Sequence, residues 1–419
     1  MRILFATWDG GGTVPAEMGV IRQLLAAGHE VTVIGDITLE TSVLHAGAYF
    51  RPWVRAPQRL SADVEGDLLK DWEVVHNPVK LFHRVLDRLV TGPAALFAED
   101  VRTAVHSKGC DVVLVDSAIL GALVGAQSLG LPHAVVHVGI YARPTPGTPP
   151  FGLGLAPGRG PLGRLRDQVV PRVMGRVWNY GLPALNSARA AYGLPELTGV
   201  WEQWDLADRV LILSSPAFDF PVRLPRNTTY VGPVLDDPQW VGAPIDLPPG
   251  DAPLVTVGLS SALTKGADHL RDNLIEALLL TDLRAVVTTG PMLEPVESGT
   301  DRIQVLAAAP HAQLFPRSVA VVTHGGHGTV TKALAAGRRA TVMPLGRDQG
   351  DNAARVVSAG AGLRLSVKAS PERIAENLQR LVTDPHIAAA AERLGSRMRA
   401  EALSGALLDE VNALAHAHS

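Results

Sequence analysis

Short, unbroken apolar runs alternate with amphipathic stretches of helical period along most of this chain. The first run, Ile3–Thr7, leads through a glycine loop (Asp9–Gly12) into a helical pattern from about Pro15 to Ala27. Gly28 closes that pattern, and a second run, His29–Ile34, follows. Further on come a helical stretch from about Val79 to His106, a strand Asp111–Val115, a helix Ala118–Leu129 and a strand Ala134–Val138. Arg164–Ala191 reads as helical in two segments that break near Gly181–Pro183. The same grammar returns with strand Leu254–Gly258, helix Ala267–Leu279 and strands Ala285–Thr289 and Ile303–Leu306. Then come strand Val319–Thr323, helix Gly328–Ala336 and strand Ala340–Met343. Ser370-Pro371-Glu372 has the N-cap and first-turn proline of a helix start, and helices Ile387–Ala402 and a piece to about Ala415 end the chain. Strands that are apolar throughout, rather than alternating, are buried on both faces, which implies parallel sheets covered by helices.

Two Pro/Gly-rich zones punctuate the pattern. Tyr141–Pro161 holds no regular element, and a loop of that length in a compact domain is commonly a lid or binding loop. Phe220–Pro253 carries one short strand, Thr229–Val231, and otherwise reads as a linker. The expected architecture is α/β, with two doubly wound Rossmann-like domains facing a cleft. The domains are 1–235 and 253–400, joined by a linker at 236–252, with a C-terminal helix in 401–419 packing back towards the N-terminal domain.

Composition narrows the function. The 419 residues are 47% hydrophobic and 19% charged, with net charge −3, so disorder is not expected and no basic block offers itself to nucleic acid. The single cysteine, Cys110, excludes an intrachain disulfide and a cysteine-based zinc site. Met1–Thr7 runs straight into a strand, so no signal peptide is expected. The apolar stretch Val112–Ala126 is broken by Asp116, so no membrane span is expected and cytoplasmic placement follows.

The segment Val321–Gln349 carries the chemistry. Strand, glycine-bracketed turn, helix and strand form a βαβ unit that aims a helix N-terminus at the carboxyl end of the sheet, where free N–H groups and partial positive charge suit a phosphate. His324, Gly325 and Gly326 lie in the turn, and Asp348 and Gln349 follow the second strand on the same rim. Phosphate donors beside partners for sugar hydroxyls are what a nucleotide-sugar site requires. The plain structural alternative for Asp348 and Gln349 is a cap on the next helix. His327 and His311 have no comparable support and read as surface or turn histidines.

The runs AAPHAQLFPRSVAVVTHGGHGTVTKALAAG and PLGRDQGDNAARVVSAGAG resemble the donor-site signature of family 1 glycosyltransferases of the GT-B fold, in their bacterial antibiotic-decorating group. MRILFAT, AAGHEV, DVVLVD and YVGPV fall in the same family order. The resemblance implies inverting sugar transfer from a nucleotide diphosphate to a small hydrophobic acceptor, with no metal or other cofactor, no nucleic acid and, at most, a homodimer as partner. It places the diphosphate on His324, Gly325, Gly326, Gly328 and Thr329, with Gly258 and Ser260 as a second contact. Asp348 and Gln349 would take the sugar, and Ala309 and His311 would flank the nucleobase. Ala308 stands where some members stack a tryptophan on the base. A dTDP-deoxysugar is favoured over a UDP-sugar, and Trp8 and Tyr141 would meet an aromatic or polyketide-like acceptor.

The same resemblance exposes a departure. The family keeps a histidine or aspartate as general base at the start of the first helix, and the matching residue here is Thr13, which reads as an N-cap with Pro15 behind it. Asp9 and Glu17 are the candidate substitutes, with Asp9 favoured and Glu17 open to the alternative of complementing the helix dipole, and Asp116 matches the position that usually orients the base. His76, His83, His133 and His137 are further candidates, His137 foremost. Another explanation is an acceptor already partly ionised. A degenerate binding protein and a nucleotide-sugar epimerase are the rival readings. A dinucleotide oxidoreductase is weaker, because DGGGT lacks the GxGxxG spacing.

Overall fold

The computed structural model describes residues 1–63, 65–70, 73–74, 77–237, 241, 245–259, 266–290 and 293–417. One sheet comprises β1 (Arg2–Ala6), β2 (Glu30–Gly35), β3 (Tyr49–Pro52), β4 (Val112–Asp116), β5 (His133–His137), β6 (Arg209–Ile212) and β7 (Thr228–Tyr230), in the order 3-2-1-4-5-6-7. The other comprises β8 (Leu254–Gly258), β9 (Arg284–Thr288), β10 (Ile303–Leu306), β11 (Ala320–Thr323), β12 (Arg339–Val342) and β13 (Gly362–Arg364), in the order 10-9-8-11-12-13. The central pairs β1–β2, β1–β4, β8–β9 and β8–β11 are all parallel. Both sheets reverse winding direction beside their first strand, between β1 and β4 and between β8 and β11. Ligands of open parallel sheets bind at such switch points, outside the carboxyl ends of the strands.

Around the first sheet lie α1 (Val14–Ala26), α2 (Glu40–Ala46), α3 (Pro78–Val85), α4 (Ala94–Lys108), α5 (Leu120–Ser128), α6 (Gly160–Trp178), α7 (Leu182–Ala190) and α8 (Glu202–Asp205). Around the second lie α9 (Ala267–Leu279), α10 (His311–Leu314), α11 (His327–Ala335), α12 (Gln349–Ser358), α13 (Pro371–Thr383) and α14 (Pro385–Ala402). The last helix, α15 (Ala406–Ala417), returns to the first sheet, where Leu407, Val411 and Leu414 join the core of Ile3, Phe5 and Val33. Burying each such side chain contributes about 1.5–3 kcal/mol.

Two readings need correction. The single helix expected over Val79–His106 is broken: a π-helical turn, Leu86–Val90, ends the first part, and Ala94 restarts the helix beyond Thr91-Gly92-Pro93. Gly92 lies so close to the Asp87 carbonyl that a Cβ there would be 1.9 Å from its oxygen. The short elements α2, β3, β6 and β13 were not foreseen, because three- to seven-residue pieces carry too little periodicity to stand out.

The two sheets are tied together by buried polar contacts. Arg355 of α12 donates to Asp219 at 2.7 Å and lies 4.2 Å over the Phe220 ring. Asp219 also accepts the Tyr141 N–H (2.7 Å) and the Tyr230 hydroxyl (2.8 Å). In the linker, Asp237 accepts Lys332 Nζ and the Ala312 N–H, both at 2.8 Å.

Candidate donor and acceptor site

At the second switch point the chain leaves β11 at Thr323 and enters α11 at His327. Gly325 makes the turn with φ +101°, and a Cβ there would meet Val342 Cγ1 at 2.7 Å and the Gln349 carbonyl at 3.0 Å. Only glycine fits. Gly326 holds the N-cap position, and nothing among the described residues lies within 4 Å of where a Gly328 Cβ would project. Thr329 meets Gly258 and His311 from the other side: a Cβ on Gly258 would be 3.2 Å from Thr329 Cγ2 and 3.4 Å from His311 Cε1. Ser260 lies outside the described residues.

The His324 ring is buried, with Nδ1 3.3 Å from the Gly258 carbonyl. A carbonyl only accepts, so Nδ1 carries the proton and the neutral ring turns a bare Nε2 to the other side. Burial pulls its pKa below 6.5, against the opposing pull of the Gly258 hydrogen bond and the Asp348 charge. His311 is half-buried rather than a surface turn residue. Its Nε2 faces Thr288 Oγ1 at 3.1 Å, its ring stacks on Phe315 at 4.6 Å, and burial brings its pKa down to about 4. Ala309 is buried at the turn before α10. His327 is also buried, and its Nε2 donates to the Leu213 carbonyl of the first domain at 3.3 Å. Its burial depends on a segment more than a hundred residues away in sequence, which no local pattern announces.

Asp348 and Gln349 sit at the head of α12. Asp348 occupies the N-cap position yet makes no side-chain cap bond; its Oδ2 instead accepts Asn352 Nδ2 at 2.9 Å. The same Asn352 amide donates to the Gly325 carbonyl at 2.9 Å. Asp348 and the Gly325 turn therefore share one clamp. Gln349 Oε1 accepts the N–H groups of Leu345 (2.7 Å) and Gly346 (3.0 Å), which fixes its side chain against the loop before the helix.

Across the cleft, the loop after β1 meets the end of β4. Thr13 stands at the N-cap position of α1 but caps nothing. Its own backbone is helical (φ −83°, ψ −30°), which swings the hydroxyl away from the next turn, and Oγ1 is buried with no hydrogen-bond partner among the described residues. Asp9 is not a free carboxylate. Arg59 pairs with its Oδ2 at 3.3 Å, Thr38 donates to the same oxygen at 2.8 Å, and the Gly11 N–H bonds Oδ1 at 3.1 Å. Asp36, just after β2, accepts the Asp9 N–H at 2.9 Å, and burial lifts its pKa to about 7.

Glu17 does not face solvent to complement the helix dipole. It points inward, fully buried, accepting Thr7 Oγ1 at 2.6 Å beside the charge of Asp116. Burial first, and the Asp116 charge second, raise the Glu17 pKa well above its ordinary value. Asp116 Oδ1 takes the Ala118 N–H (2.8 Å) and Trp8 Nε1 (3.2 Å). The Trp8 indole thus lies beside the carboxylate; a Cβ on Gly10 would touch both that ring (3.0 Å) and Thr13 Oγ1 (2.8 Å). His137 is committed as well, with Nδ1 on Ser117 Oγ (3.0 Å) and Nε2 donating to the Ile140 carbonyl (2.8 Å), and burial lowers its pKa. His133 is at the amino end of β5, away from the cleft, and His83 stacks on Tyr180 at 3.8 Å. His76 lies outside the described residues. Tyr141 is buried at the domain junction, where Asp219 holds its N–H.

The Pro/Gly loop after Tyr141 is pinned on two sides. Pro171 has no N–H to give the Asp167 carbonyl one turn earlier, and that freed carbonyl accepts the Gly147 N–H at 2.8 Å. The Asp167 carboxylate takes the Gly158 N–H at 2.7 Å. From the second domain, Asp351 of α12 accepts the N–H groups of Gly152 (2.8 Å) and Gly154 (3.2 Å). The loop spans the cleft between α6 and the helix that begins with Asp348 and Gln349.

Two doubly wound parallel sheets facing one cleft make up the architecture of the GT-B fold. Residues 273–414 match the model for the erythromycin biosynthesis protein CIII-like C-terminal domain. The chain is 29% identical over 394 residues to 4'-demethylrebeccamycin synthase of Lentzea aerocolonigenes, covering 91% of this chain and 92% of that one. It is 26% identical to the 3-alpha-mycarosylerythronolide B desosaminyl transferase of Saccharopolyspora erythraea, covering 93% and 87%. The kitacinnamycin glycotransferase structure superposes with a TM-score of 0.75 at 21% identity, covering 98% of this chain and 97% of that one. The chain has the GT-B fold and is a glycosyltransferase, similar over most of its length to transferases of antibiotic biosynthesis. No helix among the described residues is long and apolar enough to cross a membrane.

Proposed function

We propose that the enzyme transfers a deoxysugar, with inversion and without a metal, from a dTDP-sugar to an aromatic or polyketide-like acceptor whose nucleophilic atom is acidic enough to ionise by itself. One observation carries the acceptor half of this reading: Asp9, Asp116 and His137, the foremost candidates for a base in the sequence, are already engaged. Asp9 is ion-paired to Arg59, Asp116 accepts the Trp8 indole and the Ala118 N–H, and His137 is bonded at both nitrogens. In this reading the ionised acceptor attacks the anomeric carbon on the face opposite the diphosphate. The bond to the diphosphate breaks, and its negative charge passes to the α11 N-terminus and His324. Asp348 and Gln349 hold the sugar hydroxyls, and Trp8 and Thr13 border the acceptor. Solved neighbours of this fold that hold thymidine diphosphate support the choice of nucleotide.

The test is a mass-spectrometric screen of dTDP- and UDP-sugars against phenols, carboxylic acids and simple alcohols, with His324→Ala and Gln349→Ala as controls. Product from phenols or acids with a dTDP-sugar, reduced in both variants, supports the reading. Equal turnover of alcohols, or variants as active as the parent, refutes it.

A further inference from the structure

Helix α6 presents an outer face that the fold leaves uncovered. Leu162, Leu165, Val169, Val173 and Val177 are 82%, 58%, 46%, 48% and 42% exposed. From Leu165 onward they recur every fourth residue, so they form one ridge, about 22 Å long from Leu162. One residue before each of the last four stands a second ridge of Arg164, Gln168, Arg172 and Arg176, also exposed. The helix has one acid, Asp167, which is buried and ion-paired to Arg166 at 2.7 Å, so the outer face carries positive charge alone. Beyond its C-terminus, exposed Val79 and Lys80 of α3 continue the same mix.

We propose that this face of α6 docks on an anionic lipid surface, with the valine and leucine ridge entering the headgroup boundary and the arginine ridge meeting lipid phosphates. The charge pattern favours that occupant. A second copy docked through the same face offers no acid on α6 to the arginines and brings like charges together across the two-fold axis. A basic, apolar helix surface lying in the plane of an interface is the pattern of peripheral membrane helices, and it needs no spanning segment. The placement also serves the proposed function, on which this inference rests for its apolar acceptor. Asp167, whose carbonyl Pro171 leaves free, holds the Pro/Gly loop that reaches the cleft, so an acceptor partitioned into the bilayer would meet the enzyme beside that loop.

The full chain is to be floated on a density gradient with vesicles of phosphatidylcholine alone and of phosphatidylcholine mixed with phosphatidylglycerol. We expect capture by the phosphatidylglycerol vesicles only. Capture should weaken about five-fold for each of Arg164→Gln and Arg172→Gln, and disappear in Val169→Glu/Val173→Glu. Circular dichroism and turnover of a water-soluble phenol should be unchanged in these variants. Failure to float, or equal flotation of parent and variants, overturns the proposal. So does a light-scattering dimer that Val169→Glu/Val173→Glu splits, which would assign the face to a second copy. Lost flotation with turnover intact leaves the transferase reading standing, whereas a parent enzyme inactive on every phenol and acid fails that reading instead.

Discussion

Replacing His324 with alanine, or keeping it and raising the pH, should remove the same hydrogen bond from the donor complex. The free ring gives its Nδ1 proton to the Gly258 carbonyl at 3.3 Å, and burial keeps it neutral above pH 6.5. A neutral ring in that tautomer has only a lone pair at Nε2, which repels a phosphate oxygen. Binding a diphosphate therefore requires a second proton, taken from solution. A hydrogen bond to a charged group is worth about 1.5–3 kcal/mol, so His324→Ala should weaken nucleotide-sugar binding roughly 10- to 150-fold. In the parent enzyme, log Kd should climb about one unit per pH unit, or about 1.4 kcal/mol, until the same loss has been incurred. Calorimetry in two buffers of different ionisation enthalpy measures the uptake directly. The ligand should be a nucleotide-diphosphate sugar, because a free terminal phosphate titrates near pH 6 by itself. Uptake approaching one proton at neutral pH, absent in His324→Gln, is expected. Zero uptake with pH-independent affinity refutes the reasoning, and means that the ring abandons Gly258 and binds through its other tautomer.

The remaining predictions concern stability and the shape of the site. Gly325→Ala should abolish donor binding while leaving the protein folded, since the turn has φ +101° and its added Cβ would press on Val342 and Gln349; calorimetric binding equal to the parent would contradict this. Arg355→Leu should cost about 3–5 kcal/mol in urea unfolding, because it strands the buried Asp219 carboxylate, and Asp219→Asn/Arg355→Leu should recover part of it. Glu17→Gln should leave stability unchanged near pH 4. As pH rises past 4.5, the unfolded Glu17 ionises while the folded one keeps its proton, so the parent loses stability and the variant gains on it. A melting-temperature gap that instead moved against the variant with rising pH would show that Glu17 is ionised in the fold.

The parts legible in the sequence are those with local signatures. The βαβ unit around His324 shows itself through its glycines, and Gly325 has a positive φ and a Cβ position crowded by Val342 and Gln349. The parallel sheets follow from apolar runs such as VVLVD, buried along its whole length in β4. Contacts between distant segments left no local trace. Asp9 looks free until Arg59 arrives from fifty residues away, and Glu17 looks like a dipole complement until Asp116 closes over it. Thr13 shows the limit of motif reading. Its residue type, with proline behind it, fits a cap, yet its backbone conformation removes the geometry a cap requires.

The central claim is that the acceptor, and not the enzyme, supplies the ionised nucleophile. The most direct measurement is kcat/KM against pH for a series of phenolic acceptors of graded acidity, in the parent and in Asp116→Asn. The account predicts a rise in rate whose midpoint moves with the pKa of each phenol and keeps its position in the variant. A midpoint fixed across the series, and lost in Asp116→Asn, would contradict it and make Asp116 the base.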